Sequence, residues 1–198
     1  MSHIKHIVAA LVFGAISVSA YAADPAPVLQ RDVNQEQRIE NGLQSGQLST
    51  REAARLEKGE AKVDKLEQRA LSDGTLSASE KARIERAQNA ESREIYDAKH
   101  NAVKGNPNSA SSQRMQADVQ RNVNQQTRIA QGARSGSLTN QEVSRLEGGQ
   151  SRVDSKEARA GADGHVGAAE QHGVQRAENR QSKRIHNKKH NEKTAATQ

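Results

Sequence analysis

Apolar residues are thinly spread along this 198-residue chain, yet their spacing is regular. Ala53, Leu56, Val63, Leu66 and Ala70 recur at three- and four-residue steps or their sums, and Ile84, Ala87, Glu91, Ile95 and Ala98 nearly repeat the pattern. That period is helical rather than stranded. It predicts helices over 33–44, 50–71 and 78–100, the last two about 30 Å long at roughly 1.5 Å per residue. A short turn at Ser72-Asp73-Gly74 would fold them into an antiparallel hairpin.

The pattern then returns. Residues 31–101 lie over residues 121–191 at a fixed offset of 90 without a gap, and 32 of the 71 positions are identical. Helices are therefore expected over 123–134, 140–160 and 168–190 as well. A smaller repeat is nested inside: Gly46-x-Leu48-Ser49-x-x-Glu52 recurs as Gly74-x-Leu76-Ser77-x-x-Glu80 and as Gly136-x-Leu138-Thr139-x-x-Glu142. From Gly164 it has decayed to Val166, Gly167 and Glu170. Glycine ends one helix, Ser or Thr caps the next, and Glu three residues on closes a capping box worth about 1 kcal/mol.

The expected fold is all-α: two tandem three-helix repeats, each built on a helical hairpin, with thin coiled-coil-like cores. The expected organisation is a signal peptide at 1–22, an extended leader at 23–30, repeat one at 31–101, a flexible linker at 102–120, repeat two at 121–191 and a disordered tail at 192–198. Gly105-Asn106-Pro107-Asn108-Ser109 gives the linker its composition. A duplicated module suits a binding surface presented twice better than a catalytic site, which is usually built once.

Composition narrows this further. MSHIKH, the apolar run after it and Ala20-Tyr21-Ala22 form a bacterial secretory signal cut before Ala23, which predicts a periplasmic or secreted protein of a Gram-negative bacterium. No later segment is apolar enough to cross a bilayer. Cysteine is absent, which removes disulfides, thiolate catalysis and thiolate metal sites. Beyond the signal, Tyr96 is the one aromatic residue. Such sparse apolar material predicts a thin helix-on-helix seam rather than a thick core.

Three sets of residues offer chemistry. Asp73, Ser77 and Glu80 fall at spacings that resemble the second half of an EF-hand calcium loop. The resemblance implies a cation site, but Arg69 and Leu71 stand where that family places oxygen ligands, so calcium is disfavoured and the capping box accounts for the residues. His186 and His190, four apart on a helix, could chelate copper, nickel or zinc, with His165 and His172 in the same repeat; their alternative role is at a solvated helix end. Arg176, Arg180, Lys183, Arg184, Lys188 and Lys189 concentrate positive charge, since repeat one has 13 Lys/Arg against 14 Asp/Glu and repeat two 13 against 7. A basic helix end attracts polyanions such as lipopolysaccharide or anionic lipid, while no aromatic platform supports nucleic-acid binding.

No nucleophile elbow, zinc-protease motif, phosphate loop or apolar pocket material accompanies the Ser, His and carboxylate residues. Carboxylates such as Glu57 and Glu60 are expected to be surface ion-pair members among Arg and Lys. The whole resembles secreted bacterial repeat proteins. The expectation is a non-enzymatic binding or scaffold module of the envelope without a resident cofactor, its partner a protein or an envelope polyanion. Transition-metal binding is the first alternative and polyanion binding the second.

Overall fold

Four copies of one turn set the helix boundaries. Gly46, Gly74, Gly136 and Gly164 all adopt positive φ, between 70° and 94°, a region open to glycine at no steric cost. Ser49, Ser77 and Thr139 then cap the helices that follow, each paired with its Glu in a complete capping box. In the decayed fourth copy Gly167 lacks the hydroxyl, but its N–H still donates to Glu170 Oε2 at 2.8 Å. Half of the box survives.

The computed structural model describes residues 23–192, in which six helices and no strand are present. They are α1 (Ala26–Gln44), α2 (Thr50–Ala70), α3 (Ala78–His100), α4 (Ala110–Arg134), α5 (Asn140–Ala160) and α6 (Ala168–Lys189). The all-α class is as the periodicity predicts. The signal at 1–22 and most of the tail at 192–198 lie outside the described residues.

Two boundaries differ from expectation. α1 begins inside the expected leader, because Pro25 and Pro27 sit at a helix start, where a missing N–H costs nothing. α4 begins at Ala110, inside the expected linker, where Ser109 accepts from the Ser112 N–H at 3.1 Å. The remaining connector is itself anchored, for the Gly105 N–H donates to Gly46 O at 2.9 Å. Among the described residues no helix is long and apolar enough to cross a membrane.

The repeats do not stand apart on a linker. α1 packs along α4 and α2 along α5, while α3 covers α1 and α2, and α6 covers α4 and α5. Both central pairs are antiparallel: Val28 and Leu29 at the start of α1 share a cluster with Ile129 and Ala130 near the end of α4, and Val63 and Ala70 of α2 meet Val143 and Leu146 of α5. A second cluster, with Ile39, Leu43, Leu56, Met115 and Val119, gathers the opposite helix ends. The 90-residue duplication is thus folded about a pseudo-twofold relation, and each apolar cluster takes material from both repeats. The expected thin seam is instead two apolar ends enclosing a waist.

Glycines that look like helix weaknesses have a packing role. A Cβ at Gly59 would collide with the Glu91 carboxylate, and one at the equivalent Gly149 with the Gln181 amide. Each glycine lets a polar side chain of the outer helix pass beneath it into the bundle. Gly149→Ala is therefore expected to destabilise the protein by about 1–3 kcal/mol through overpacking, despite alanine's better helix propensity. Gly173→Ala on α6, where the nearest atom is 3.8 Å away, is expected to stabilise by up to about 1 kcal/mol. Chemical denaturation of the two variants beside the parent checks the opposite signs.

Candidate metal centre

Glu57, Glu60, Asp64 and Glu67 recur on α2 at steps of three, four and three, so they share one helical face. That face points inward. Each of the four is at most 1% exposed, as are Glu147, Asp154 and Glu157 on α5 and Asp32 and Glu36 on α1. The expectation that Glu57 and Glu60 make surface ion pairs is corrected here: they lie between the two apolar clusters, and no Lys or Arg is among the buried residues described. The interleaving of these acids with Leu56, Val63 and Ala70 was the available signal, and it resembled an ordinary charged face because Lys and Arg fill the other positions.

The acids collect into two groups related by the duplication. Ligand oxygens of Glu36, Glu57 and Asp154 lie within 4.8 Å of one another, and so do those of Asp64, Glu67 and Glu147. In the first group, Asn122 Nδ2 of α4 donates to Glu57 Oε2 at 3.2 Å, Asp154 Oδ1 at 3.2 Å and Glu157 Oε2 at 2.6 Å. In the second, Gln126 Nε2 donates to Asp64 Oδ1 at 3.3 Å and Glu147 Oε2 at 3.2 Å, while Asp32 pairs with Glu67. Helices of both repeats build each group. Neither repeat holds one alone, so the doubled module makes one interior rather than two separate surfaces.

Under the 90-residue offset Glu36 becomes Gln126 and Asp32 becomes Asn122. The exchanges compensate. One group has Glu36, Glu57, Asp154, Glu157 and the amide of Asn122; the other has Asp32, Asp64, Glu67, Glu147 and the amide of Gln126. Each retains four carboxyls and one carboxamide.

These carboxyls are under-satisfied. One oxygen of each of Asp32, Glu36, Glu57, Asp64, Glu67, Glu147, Asp154 and Glu157 is buried without a hydrogen-bond partner, and both oxygens of Glu60 are. Burial pushes Asp32 and Asp154 up to about 7 and holds Glu36, Glu57, Glu60, Asp64, Glu67, Glu147 and Glu157 well above the ordinary carboxyl range, with neighbouring acids adding to the rise for all but Asp154. Desolvation of the charged form is the dominant cause. With no Lys or Arg buried beside them, the carboxyls are held toward their neutral form.

The residues singled out by sequence lie elsewhere. Asp73 Oδ1 accepts from the Thr75 N–H at 2.9 Å, and Glu80 Oε2 accepts from the Ser77 N–H and hydroxyl at 3.0 and 2.6 Å, which is the capping arrangement. The exposed rings of His186 and His190 meet at a tilt of 31° with centroids 4.3 Å apart, and His190 Nδ1 lies 2.7 Å from His186 O. Tyr96 and His100 form the equivalent pair in repeat one, at 4.1 Å. His165 and His172 are exposed, and no three-ligand group among the described residues contains a histidine. The repeated Lys-His-Asn ends serve a structural purpose: Asn101 Nδ2 donates to Glu52 Oε1 and Asn191 Nδ2 to Glu142 Oε1, tying each outer helix to a capping box.

Of the basic residues, Arg180 and Arg184 line a groove of about 400 Å³ between α5 and α6, joined there by Arg152, Lys156 and Arg159. No carboxylate lines it. The equivalent groove of repeat one mixes Arg55, Lys58 and Lys62 with Glu91 and Glu94. Arg176 and Lys183 are exposed on α6, Lys189 is half-buried, and Lys188 Nζ donates to Glu142 Oε1 at 3.4 Å.

Folded-state values raised above unfolded ones mean that the folded protein binds more protons, so stability is full below about pH 4 and declines as pH rises through the folded values. For Asp32 alone, a rise from 3.8 to about 7 corresponds to about 4 kcal/mol. Without multivalent cations, the melting temperature is expected to fall by on the order of 10 °C between pH 5 and pH 8. Calorimetry in chelator-treated buffer checks this, against the opposite trend expected of carboxylates in ordinary salt bridges. Compared with family models, curated proteins and solved structures, the chain matches none.

Proposed function

We propose that this is a non-enzymatic binding protein of the cell envelope whose cargo is a hard, multivalent cation held in the carboxylate waist. The observation that carries the reading is the pair of buried three-oxygen groups, Glu36 with Glu57 and Asp154, and Asp64 with Glu67 and Glu147, in which one oxygen of each carboxyl lacks a hydrogen-bond partner. Hydrogen bonding among the chain's own residues leaves those oxygens unsatisfied, and an unpartnered buried polar atom costs about 1–3 kcal/mol. An ion ligated by several oxygens at once removes that penalty.

An all-oxygen ligand set selects calcium, manganese or lanthanide-like ions over copper, nickel and zinc, which favour imidazole or thiolate. Small Mg²⁺ dehydrates reluctantly and suits a closed, water-poor interior less well. The Nδ2 of Asn122 already sits among three carboxylates, and rotation of that amide would turn a donor into a ligand. A signal-like N-terminal sequence supports a setting outside the cytoplasm, where free calcium and other hard cations are met.

Adding Ca²⁺, Mn²⁺ or La³⁺ to the chelator-treated protein at pH 7.5 is expected to raise its melting temperature in a concentration-dependent way, and the rise should disappear near pH 5, where the carboxyls keep their protons. La³⁺ should bind at least about tenfold more tightly than Ca²⁺, because four carboxylates exceed what a divalent ion neutralises. His186→Ala should leave this response intact. If Zn²⁺ alone stabilises the protein and His186→Ala removes the effect, the cation belongs to the histidine pair instead.

A second reading rests on the groove between α5 and α6. Arg152, Arg159, Arg180 and Arg184 have no ion pair there, and Lys156 Nζ donates only to Gly173 O at 3.1 Å. Five cations without an ion pair favour a phosphate-bearing anion, although Glu170 lines the adjoining recess with Lys156 and Arg159. Binding of inorganic tripolyphosphate or of anionic phospholipid vesicles should weaken steeply with salt and fall at least about tenfold in Arg180→Ala/Arg184→Ala. Unchanged binding in that variant would remove the groove from consideration.

A further inference from the structure

We infer that the waist takes two cations as a coupled pair, with Asp64 and Asp154 as the shared ligands between them. The inference rests on the cation reading above and adds number, placement and linkage. Asp64 and Asp154 are equivalent positions of the two repeats, and their carboxyls pair with one another across the contact of α2 with α5. Each belongs to a different three-oxygen group: Asp154 to that of Glu36 and Glu57, Asp64 to that of Glu67 and Glu147. The groups therefore meet at this carboxyl pair.

The neighbourhood contains more than acids. Gln150 Nε2 donates to Asn122 Oδ1 at 2.9 Å and to Asp154 Oδ1 at 3.2 Å, which fixes its amide inside the first group, and its own Oε1 is buried without a partner. Glu60, the equivalent residue of repeat one, has both oxygens buried and unpartnered. Neutral and acidic oxygens alike are thus presented to the waist with nothing of the chain's own to bind. The exchanges of Asp32 for Asn122 and Glu36 for Gln126 leave each group four carboxyls, which suits two ions of one kind.

A carboxylate bridging two cations links their binding. The first ion fixes the shared aspartates in one orientation and so removes part of the ordering cost of the second. The linkage also runs through the fold, since α1, α2, α4 and α5 all contribute to both groups.

The test is the stoichiometry and coupling of binding in the purified, chelator-treated protein, using La³⁺ or Ca²⁺ as the probe, followed by calorimetry and by elemental analysis after gel filtration. Two equivalents per chain with positive cooperativity are expected. Asp64→Asn and Asp154→Asn, of nearly unchanged shape and checked for retained helicity, should each weaken both ions at least tenfold. One equivalent would overturn the pair and leave the cation reading standing. Two independent equivalents, or a variant that loses one ion and keeps the other at parental affinity, would overturn the coupling. No binding of any probe would overturn the cation reading and this inference together. Should a variant fail to fold, the shape of the parental isotherm decides alone.

Discussion

Taking carboxyl groups out of water without a counter-charge is costly for a fold, and nine of them are buried together in this waist. Everything around the waist is arranged to hold it. The apolar residues, too few for a thick core, are divided between two end clusters that close the waist off. Glycines at 59 and 149 admit the polar tips of Glu91 and Gln181 from the outer helices. Amides from Gln88, Asn122, Gln126 and Gln150 supply donors, but too few for the oxygens present. In water alone this design is poor, because burying the same helices with leucine would cost far less.

The duplication explains how so short a chain encloses a polar interior. A three-helix repeat has one inward face and no means of covering it, so a lone repeat would leave its acids in water. Two copies related by a pseudo-twofold cover each other, and antiparallel packing of α1 on α4 and α2 on α5 brings the acid stripe of one copy onto that of the other. In a repeat array each unit buries the face of its neighbour. Here the faces meet directly, and what they bury is charge.

Much of the fold was legible in the sequence and most of the site was not. Helices α2, α3 and α5 follow from the Gly-x-apolar-Ser/Thr punctuation to within a residue, because capping is local chemistry. The starts of α1 and α4 were not legible: proline and serine at helix starts have the same composition as a leader or a linker, and only the packing of α1 against α4 selects the longer helices. The stripe Glu57, Glu60, Asp64 and Glu67 was visible as a period but not as burial. Hydropathy assigns glutamate to solvent, and the residue that reverses that assignment is its counterpart 90 positions away. Conversely, His186 and His190 have metal-ligand spacing, but the Tyr96–His100 pair makes a similar close ring contact at a helix end.

Charge bookkeeping also changes once the interior is known. The formal net charge of +6 counts every Asp and Glu as ionised, although burial raises the waist carboxyls above their ordinary range and disfavours their charged form. Part of the contrast between the repeats is internal as well: six waist carboxyls belong to repeat one and three to repeat two, where Asn122, Gln126 and Gln150 take the places of Asp32, Glu36 and Glu60. The exchanges within the two groups preserve their acid count, so drift there is restrained by what must be neutralised. Outside the waist no such restraint acts, and Ala90, Glu94 and Leu66 have the counterparts Arg180, Arg184 and Lys156. The basic groove of repeat two is thus the divergent face of a duplication whose interior has stayed balanced.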